Sequence, residues 1–297
     1  MFDVVVAGGG PAGLSAALML GRCRRRVLLC DEGQPRNRWS RALHGYLTRD
    51  GIPPADLNAL GRSELEQYGV RCRAVRVTDA RRQDDTFHVH LGDGGTVLSR
   101  YLLIATGVVD EVPDVEGFAA CYGRSVFHCP YCDGWEQRDR RLAAFGRGRS
   151  GAALALSLRT WSPRVVLLSH GSPPPSAVVD RLGRNDIVVI PARATRLRHD
   201  EGRLTAVDVE GGATHPLDAL FFTAAQHPRC NLAQALGCAF NAKGTVDTGT
   251  LGNTNVPGVY VVGDASRDAQ FAIVAAAEGT KAALAINQAL QQEDLRP

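Results

Sequence analysis

Residues 129–134 read Cys-Pro-Tyr-Cys-Asp-Gly, the densest run of reactive groups in the chain. Two thiols three residues apart can close a small disulfide ring, and such rings sit near redox poise. The carboxyl of Asp133, directly after the second sulfur, can carry the proton that thiolate chemistry must move. The alternative is half of a zinc site. Zinc would need two further ligands at metal spacing, and Cys230 and Cys238 form no second pair of that type. His128 adds one ligand, which leaves three, too few for a closed structural site. The pair Cys129/Cys132 with Asp133 therefore reads as redox chemistry, and no metal is expected. The other six cysteines fall mostly in or near apolar segments and read as small packed hydrophobes. His170 reads as a structural hydrogen-bonder, and His44 and His128 stay open.

A second chemistry lies at the N-terminus. Gly8-x-Gly10-x-x-Gly13 stands between a strand-like run and a helix-like run. Gly8 allows the tight turn, Gly10 lets the backbone approach a pyrophosphate, and Gly13 lets the helix pack on the strand. The helix N-terminus then turns its amides toward the phosphates. Asp31 ends the next strand, 18 residues after Gly13, where a ribose-binding acid is expected. This is a dinucleotide site, and spacing alone does not separate FAD from NAD. Gly146-x-Gly148-x-x-Gly151 repeats the spacing with two arginines inside it. Its following strand ends Ser169-His170-Gly171, with neither an acid for a ribose nor an arginine cluster for a 2′-phosphate. It reads as a fold remnant whose nucleotide chemistry has decayed, with a competent nicotinamide site as the alternative.

The elements that must position these groups follow from periodicity. Residues 2–7 and 27–31 read as strands around a helix over 11–22, a βαβ unit that favours parallel pairing. Strand-like runs follow at 74–78, 87–91 and 96–98, the last two joined by a Gly92-Asp93-Gly94-Gly95 turn. The segment closes with an apolar strand over 101–107. The plan then repeats: a strand at 141–145, a helix over 152–159, a strand at 164–169, and a closing strand at 217–224. Residues 258–264 form a strand ending Gly-Asp, and a long alanine-rich helix runs over 270–291. Its small surface permits close packing, so it is placed back on the first domain. The expected fold class is α/β, with two Rossmann-like three-layer domains, the second inserted into the first. Residues 1–113 and 242–297 would form one domain and residues 114–241 the other.

Composition limits the function classes. The 297 residues suggest about two domains. Hydrophobic residues make up 44% and charged residues 22%, a globular balance. A net charge of +3 gives no polyelectrolyte signal for nucleic acid. Arg22 and Arg24–Arg26 read as a solvated helix end. No apolar run is long enough for a membrane helix, and no charged segment precedes an apolar one as in a secretory signal. The cysteine spread does not suit a stapled secreted scaffold, so the cytoplasm is the expected compartment.

Taken in order, the motifs resemble those of the low-molecular-weight thioredoxin reductases and their flavin-dependent relatives. Gly8–Gly13, Ala105-Thr106-Gly107, Cys129/Cys132 with Asp133-Gly134, and residues 258–264 with their helix carry the resemblance over nearly the full length. It implies FAD in the first domain. Gly8, Gly10, Pro11, Ala12 and Gly13 would hold the pyrophosphate, and Asp31 or Glu32 the adenosine ribose. Thr106 and Gly107 would line the site. Gly263 and Asp264 would meet the ribityl chain or pyrophosphate, and Gln270, Phe271 and Ala272 the flavin's pyrimidine edge. Cys132 would be the flavin-proximal sulfur, Cys129 the interchange thiol, and Asp133 the proton donor and acceptor. A homodimer and a rotating second domain are implied as well.

Two departures stand out. The His-Arg-Arg run that usually reads NADPH phosphate is Ser169-His170-Gly171 here, which argues against NADPH as an efficient donor. The usual Arg-Gln-Ala before the last helix is Gln270-Phe271-Ala272. The expectation is an FAD-dependent oxidoreductase that reduces thioredoxin or a small disulfide. Its other redox partner would be NADPH, ferredoxin or oxygen. An oxygen-dependent dithiol oxidase, a conventional NADPH-thioredoxin reductase and a flavin-bearing redox sensor are the alternatives.

Overall fold

The computed structural model describes residues 1–266 and 269–295; residues 267–268 and 296–297, part of the expected 242–297 segment, lie outside the described residues. The chain divides into two compact units. One comprises Met1–Arg38, Gly45–Val109 and Gln226–Pro297, and the other Trp39–His44 and Asp110–Ala225.

In the first unit, β1 (Phe2–Ala7), α1 (Pro11–Arg22) and β2 (Val27–Cys30) form the βαβ unit that the apolar runs require. Then come α2 (Pro54–Glu66), β3 (Arg71–Arg73), β4 (Val77–Gln83), β5 (Thr86–Leu91), β6 (Thr96–Ile104) and β7 (Val108–Asp110), whose last residue is counted with the other unit. After the other unit follow β16 (Gln226–Pro228), α7 (Leu232–Ala235), β17 (Val259–Val261) and α8 (Ala272–Asp294). The main sheet runs β3-β2-β1-β6-β5-β4. β1 pairs parallel with β2 and β6, with Val5 opposite both Leu28 and Leu102.

β6 changes neighbour along its length. Thr96–Ser99 pair antiparallel with β5, and Leu102–Ile104 pair parallel with β17. The two strands expected at 96–98 and 101–107 are therefore one. Ser99 and Arg100 do not break it because both are partnered: Ser99 Oγ donates to Tyr101 O, and Arg100 reaches Glu293 and Asp294. α1 and α8 pack through small residues. A Cβ on Gly279 would meet the Ala12 carbonyl at 1.9 Å, so these helix backbones touch. α7 places Leu232 and Ala233, and beyond it Cys238, in the core under β4 and β5. That packing puts residues 226–241 in the first unit, whereas the sequence suggested a boundary at 241/242.

In the second unit are α3 (Phe118–Cys121), β8 (Val126–Phe127), α4 (Pro130–Asp133), β9 (Leu142–Phe145), α5 (Gly148–Leu158) and β10 (Val165–Leu168). They are followed by α6 (Ser176–Gly183), β11 (Val188–Ile190), β12 (Ala194–Asp200), β13 (Arg203–Val209), β14 (Thr214–Pro216) and β15 (Ala219–Phe222). Five strands pair in the order β11-β10-β9-β15-β8, all parallel, and their runs are apolar on both faces as buried parallel strands require. β12, β13 and β14 make a separate antiparallel sheet. α5 begins within the glycine turn, four residues before the helix expected at 152. Among the described residues no helix is long and apolar enough to cross a membrane.

Candidate functional site

In the first unit the glycine turn has the shape of a phosphate cradle. Gly8 sits at φ +106°, and a Cβ there would lie 2.4 Å from the Ala105 carbonyl oxygen, so only glycine fits. A Cβ on Gly13 would meet Gly8 O at 1.9 Å, which presses α1 onto the end of β1. At Gly10 the opposite holds: an added Cβ meets nothing within 4 Å. Gly10 is the extended N-cap of α1 and has no side chain to cap it, with Pro11 next. The first amides of the helix, at Ala12 and Gly13, form the positive end of the helix dipole, and the space beside Gly10 leaves room for an anion to approach the turn. That is the geometry a pyrophosphate requires, so the residues present fit FAD.

Around the turn the acids are paired. Asp31 lies beneath Gly9, whose added Cβ would meet its carboxylate at 2.7 Å, and it bonds Arg62 of α2. Glu32 stands 4.0 Å from both Arg76 and Arg229. Thr106 Oγ1 is 3.3 Å from Cys230 Sγ, and Gly107 turns the chain at φ +68°. Gly263 N donates to Glu278 Oε2 at 2.8 Å. Phe271 is the extended N-cap of α8, again with no side-chain cap, and Ala272 opens the helix.

Arg36 was not singled out from the sequence. Its guanidinium donates to Asp264 at 2.8 Å and to Gln270 Oε1 at 2.7 Å. Gln270 and Gln226 exchange amide hydrogen bonds. The chain lacks an arginine at position 270, and Arg36 brings a cation to that residue from a loop more than 200 positions away. No local spacing announces such a contact.

In the second unit Cys129 and Cys132 are joined in a disulfide. Sulfurs joined in this way offer no thiolate to a metal. Cys129 is the extended N-cap of α4, and the Cys132 amide donates to Cys129 Sγ at 3.1 Å. Pro130 starts the turn with no amide to satisfy. Tyr131 is exposed and stands edge-on to Trp161, whose ring closes over Gly134; a Cβ at Gly134 would lie 2.7 Å from that ring. Burial pushes the Asp133 carboxyl up to about 7, with His44 opposing the shift and Glu136 adding to it. His128 Nδ1 is 3.1 Å from the Tyr122 hydroxyl, which donates to Asp110 at 3.1 Å. Tyr122 and Asp110 were not foreseen.

The second glycine turn keeps the backbone packing of the first. A Cβ on Gly151 would meet Gly146 O at 2.1 Å. His170 ends the strand after it and accepts from the Ala194 amide at 3.1 Å, the structural role expected. Burial holds its imidazole below the usual range, and the charges of Arg147 and Arg193 push the same way. Arg147, already visible inside the glycine turn, and Arg193, from after β11, both act on His170.

The remaining candidates are structural. Arg22 donates to the Tyr68 hydroxyl, Arg25 to Asn287 and Asp294, and Arg26 to Asp3. Cys30, Cys121 and Cys238 are buried, whereas Cys72 is exposed.

Pyridine nucleotide-disulphide oxidoreductases as a family match residues 2–279. The chain belongs to that family. It is 31% identical to a thioredoxin reductase, tcpT, of Claviceps purpurea over 88% of this chain and 86% of that one. A putative thioredoxin reductase from Bacillus anthracis superposes with a TM-score of 0.95 at 31% identity, covering 99% of this chain and 100% of the other. The protein HlmI superposes equally well, with a TM-score of 0.95 at 37% identity over 99% and 94% of the two chains. The chain is thus a flavin-dependent disulfide oxidoreductase of the thioredoxin reductase type, built on two Rossmann-like domains.

Proposed function

We propose that the chain exchanges two electrons between FAD and a substrate dithiol or disulfide through Cys129 and Cys132. The observation that carries this reading is the disulfide in the Cys-Pro-Tyr-Cys turn with Asp133 directly beside it, in a chain of this family. The unit holding the Gly8–Gly13 turn is proposed as the FAD domain. Gly8, Gly10, Pro11, Ala12 and Gly13 would receive the pyrophosphate, and Asp31, held by Arg62, or Glu32 the adenosine ribose. Thr106, Gly107, Gly263 and Asp264 would line the same site. Arg36, Gln270, Phe271 and Ala272 would stand at the flavin's pyrimidine edge. When bound, the flavin supplies or accepts the electron pair. Cys129 is assigned the exchange with substrate, and Cys132 the exchange with the flavin. Asp133 holds a proton near neutrality and gives it to the Cys132 thiolate as the disulfide opens.

The reductase direction is preferred, with a thioredoxin-type protein or a small disulfide as acceptor and the cytoplasm and a homodimer as setting. Ser169-His170-Gly171 favours a donor other than NADPH, such as a ferredoxin; oxygen as acceptor would make the chain a dithiol oxidase. A second reading, NADPH as donor, is favoured by Arg147 and Arg193 beside His170. The test is anaerobic mixing of the yellow protein with NADPH, then with dithionite. Slow bleaching by NADPH and full bleaching by dithionite support the first reading. Rapid stoichiometric bleaching at micromolar NADPH supports the second, and a colourless protein overturns both.

A further inference from the structure

The first unit holds a charge cluster to which the redox chemistry gives no task. Direct contacts tie it to the glycine turn. Gly8 lies against the Ala105 carbonyl, and Thr106 and Gly107 come next in the chain. The Arg229 amide donates to Gly107 O at 3.1 Å, and Cys230 Sγ is 3.3 Å from Thr106 Oγ1. The stretch just after β16 is therefore fixed beside the phosphate cradle. From there Arg229 reaches Glu32, Nη1 to Oε1 at 4.0 Å. Arg76, just before β4, faces the other carboxylate oxygen, Nη1 to Oε2 at 4.0 Å. Arg76 Nη2 also donates to Arg229 O at 3.1 Å, which joins the two arginines directly.

Two guanidinium groups against one carboxylate leave one positive charge in excess. The neighbouring acid, Asp31, does not cancel it, because Arg62 already holds that carboxylate. Both contacts to Glu32, at 4.0 Å, are longer than a hydrogen bond. The Arg229 side chain is only 17% exposed. It brings five donors in a planar fork and a charge that does not titrate away in a protein. A half-buried cation without a hydrogen-bonded anion is costly. An anion rich in acceptor oxygens removes that cost, and phosphate suits the fork. The place of the cluster says which phosphate. Glu32 stands just past β2, at the end of a Rossmann unit that meets the adenosine half of a dinucleotide.

We propose that Arg229, aided by Arg76, draws the adenosine-phosphate half of FAD and so makes the site prefer FAD to FMN. The proposal rests on the first unit being the FAD domain. The flavin half is assigned to a different set of residues, Arg36 and Gln270 among them. FMN ends at the phosphate on that half and offers the arginine pair nothing. ADP carries the other half alone and depends on the pair as FAD does.

The test is equilibrium dialysis of the yellow full-length protein at graded FAD, with ADP as competitor, and then with FMN exchanged for FAD. The visible absorbance retained gives each affinity. The wild type should hold FAD more tightly than FMN, and ADP should displace FAD. Arg229→Gln should weaken FAD and ADP together, by about tenfold to a hundredfold, and leave FMN where it was. Arg229→Lys keeps the charge and should hold FAD within about threefold of the wild type. Arg76→Gln, at a more exposed position, should weaken FAD by about threefold to tenfold, and it carries the test should Arg229→Gln fail to fold. Added salt should weaken ADP more in the wild type than in either glutamine variant. FAD affinity unmoved in the glutamine variants, FMN weakened as much as FAD, or FAD weakened with ADP unmoved overturns the role of the arginine pair. A wild-type chain that holds no FAD overturns the FAD domain instead.

Discussion

The two glycine turns share a backbone and differ in what surrounds it. In both, the third glycine is pressed against the carbonyl of the first, at 1.9 Å for Gly13 and 2.1 Å for Gly151, measured to an added Cβ. That contact is fold, the seating of a helix on a parallel strand. The chemistry lies one shell out. Beside the first turn stand an acid just after the next strand, held by Arg62, and Gly263, where an added Cβ would lie 3.2 Å from the Ala12 Cβ. Beside the second stand His170, just past β10, Arg147 from the turn itself and Arg193 from after β11. A glycine spacing therefore reports helix packing reliably and a nucleotide only through its neighbours.

Several substitutions break or sharpen that contrast, and the redox pair gives the largest effect. Cys129→Ser and Cys132→Ser should each lower disulfide turnover by roughly 10³-fold or more while the yellow colour stays. Turnover with a chromogenic disulfide and the visible spectrum decide it. Gly13→Ala and Gly151→Ala should both destabilise by about 1–3 kcal/mol through overpacking. Only Gly13→Ala should release flavin; release from both, or from neither, would erase the distinction drawn here. Gly10→Ala is the finer probe. Its added methyl meets no protein atom, so the melting temperature of the flavin-free form should hold while flavin affinity drops about tenfold. Arg36→Ala should weaken flavin retention by a similar or smaller factor, read by equilibrium dialysis.

The smallest expected effect is on stability against pH. Asp133 has a folded value near 7 and an ordinary value of 3.8. Its contribution to stability is therefore full below about 4 and lost as pH rises to about 7. Asparagine carries no such dependence. Asp133→Asn should gain a few degrees of melting temperature over the wild type between pH 4 and pH 7, and no relative change above.

Much of the fold was legible because the informative signals are local. The apolar runs 2–7 and 27–30 and the glycines between them specify a βαβ unit within some thirty residues. The redox pair was legible for the same reason. What escaped was set by long-range contacts. β6 runs through Ser99 and Arg100 because Glu293 and Asp294, at the far end of the chain, satisfy the arginine. Residues 226–241 join the first unit because Leu232 and Cys238 find its core. Arg36 and His44 sit in stretches with no periodicity at all. Each becomes interpretable only once the fold brings its partner, Asp264 or Glu136, beside it.

The central claim is that two sulfurs and a flavin form one electron store. Anaerobic titration of the purified yellow protein with dithionite tests it most directly. The wild type should take up about four electrons per chain, two for the flavin and two for the disulfide, and Cys132→Ser about two. Uptake of about two electrons by both proteins would contradict the account.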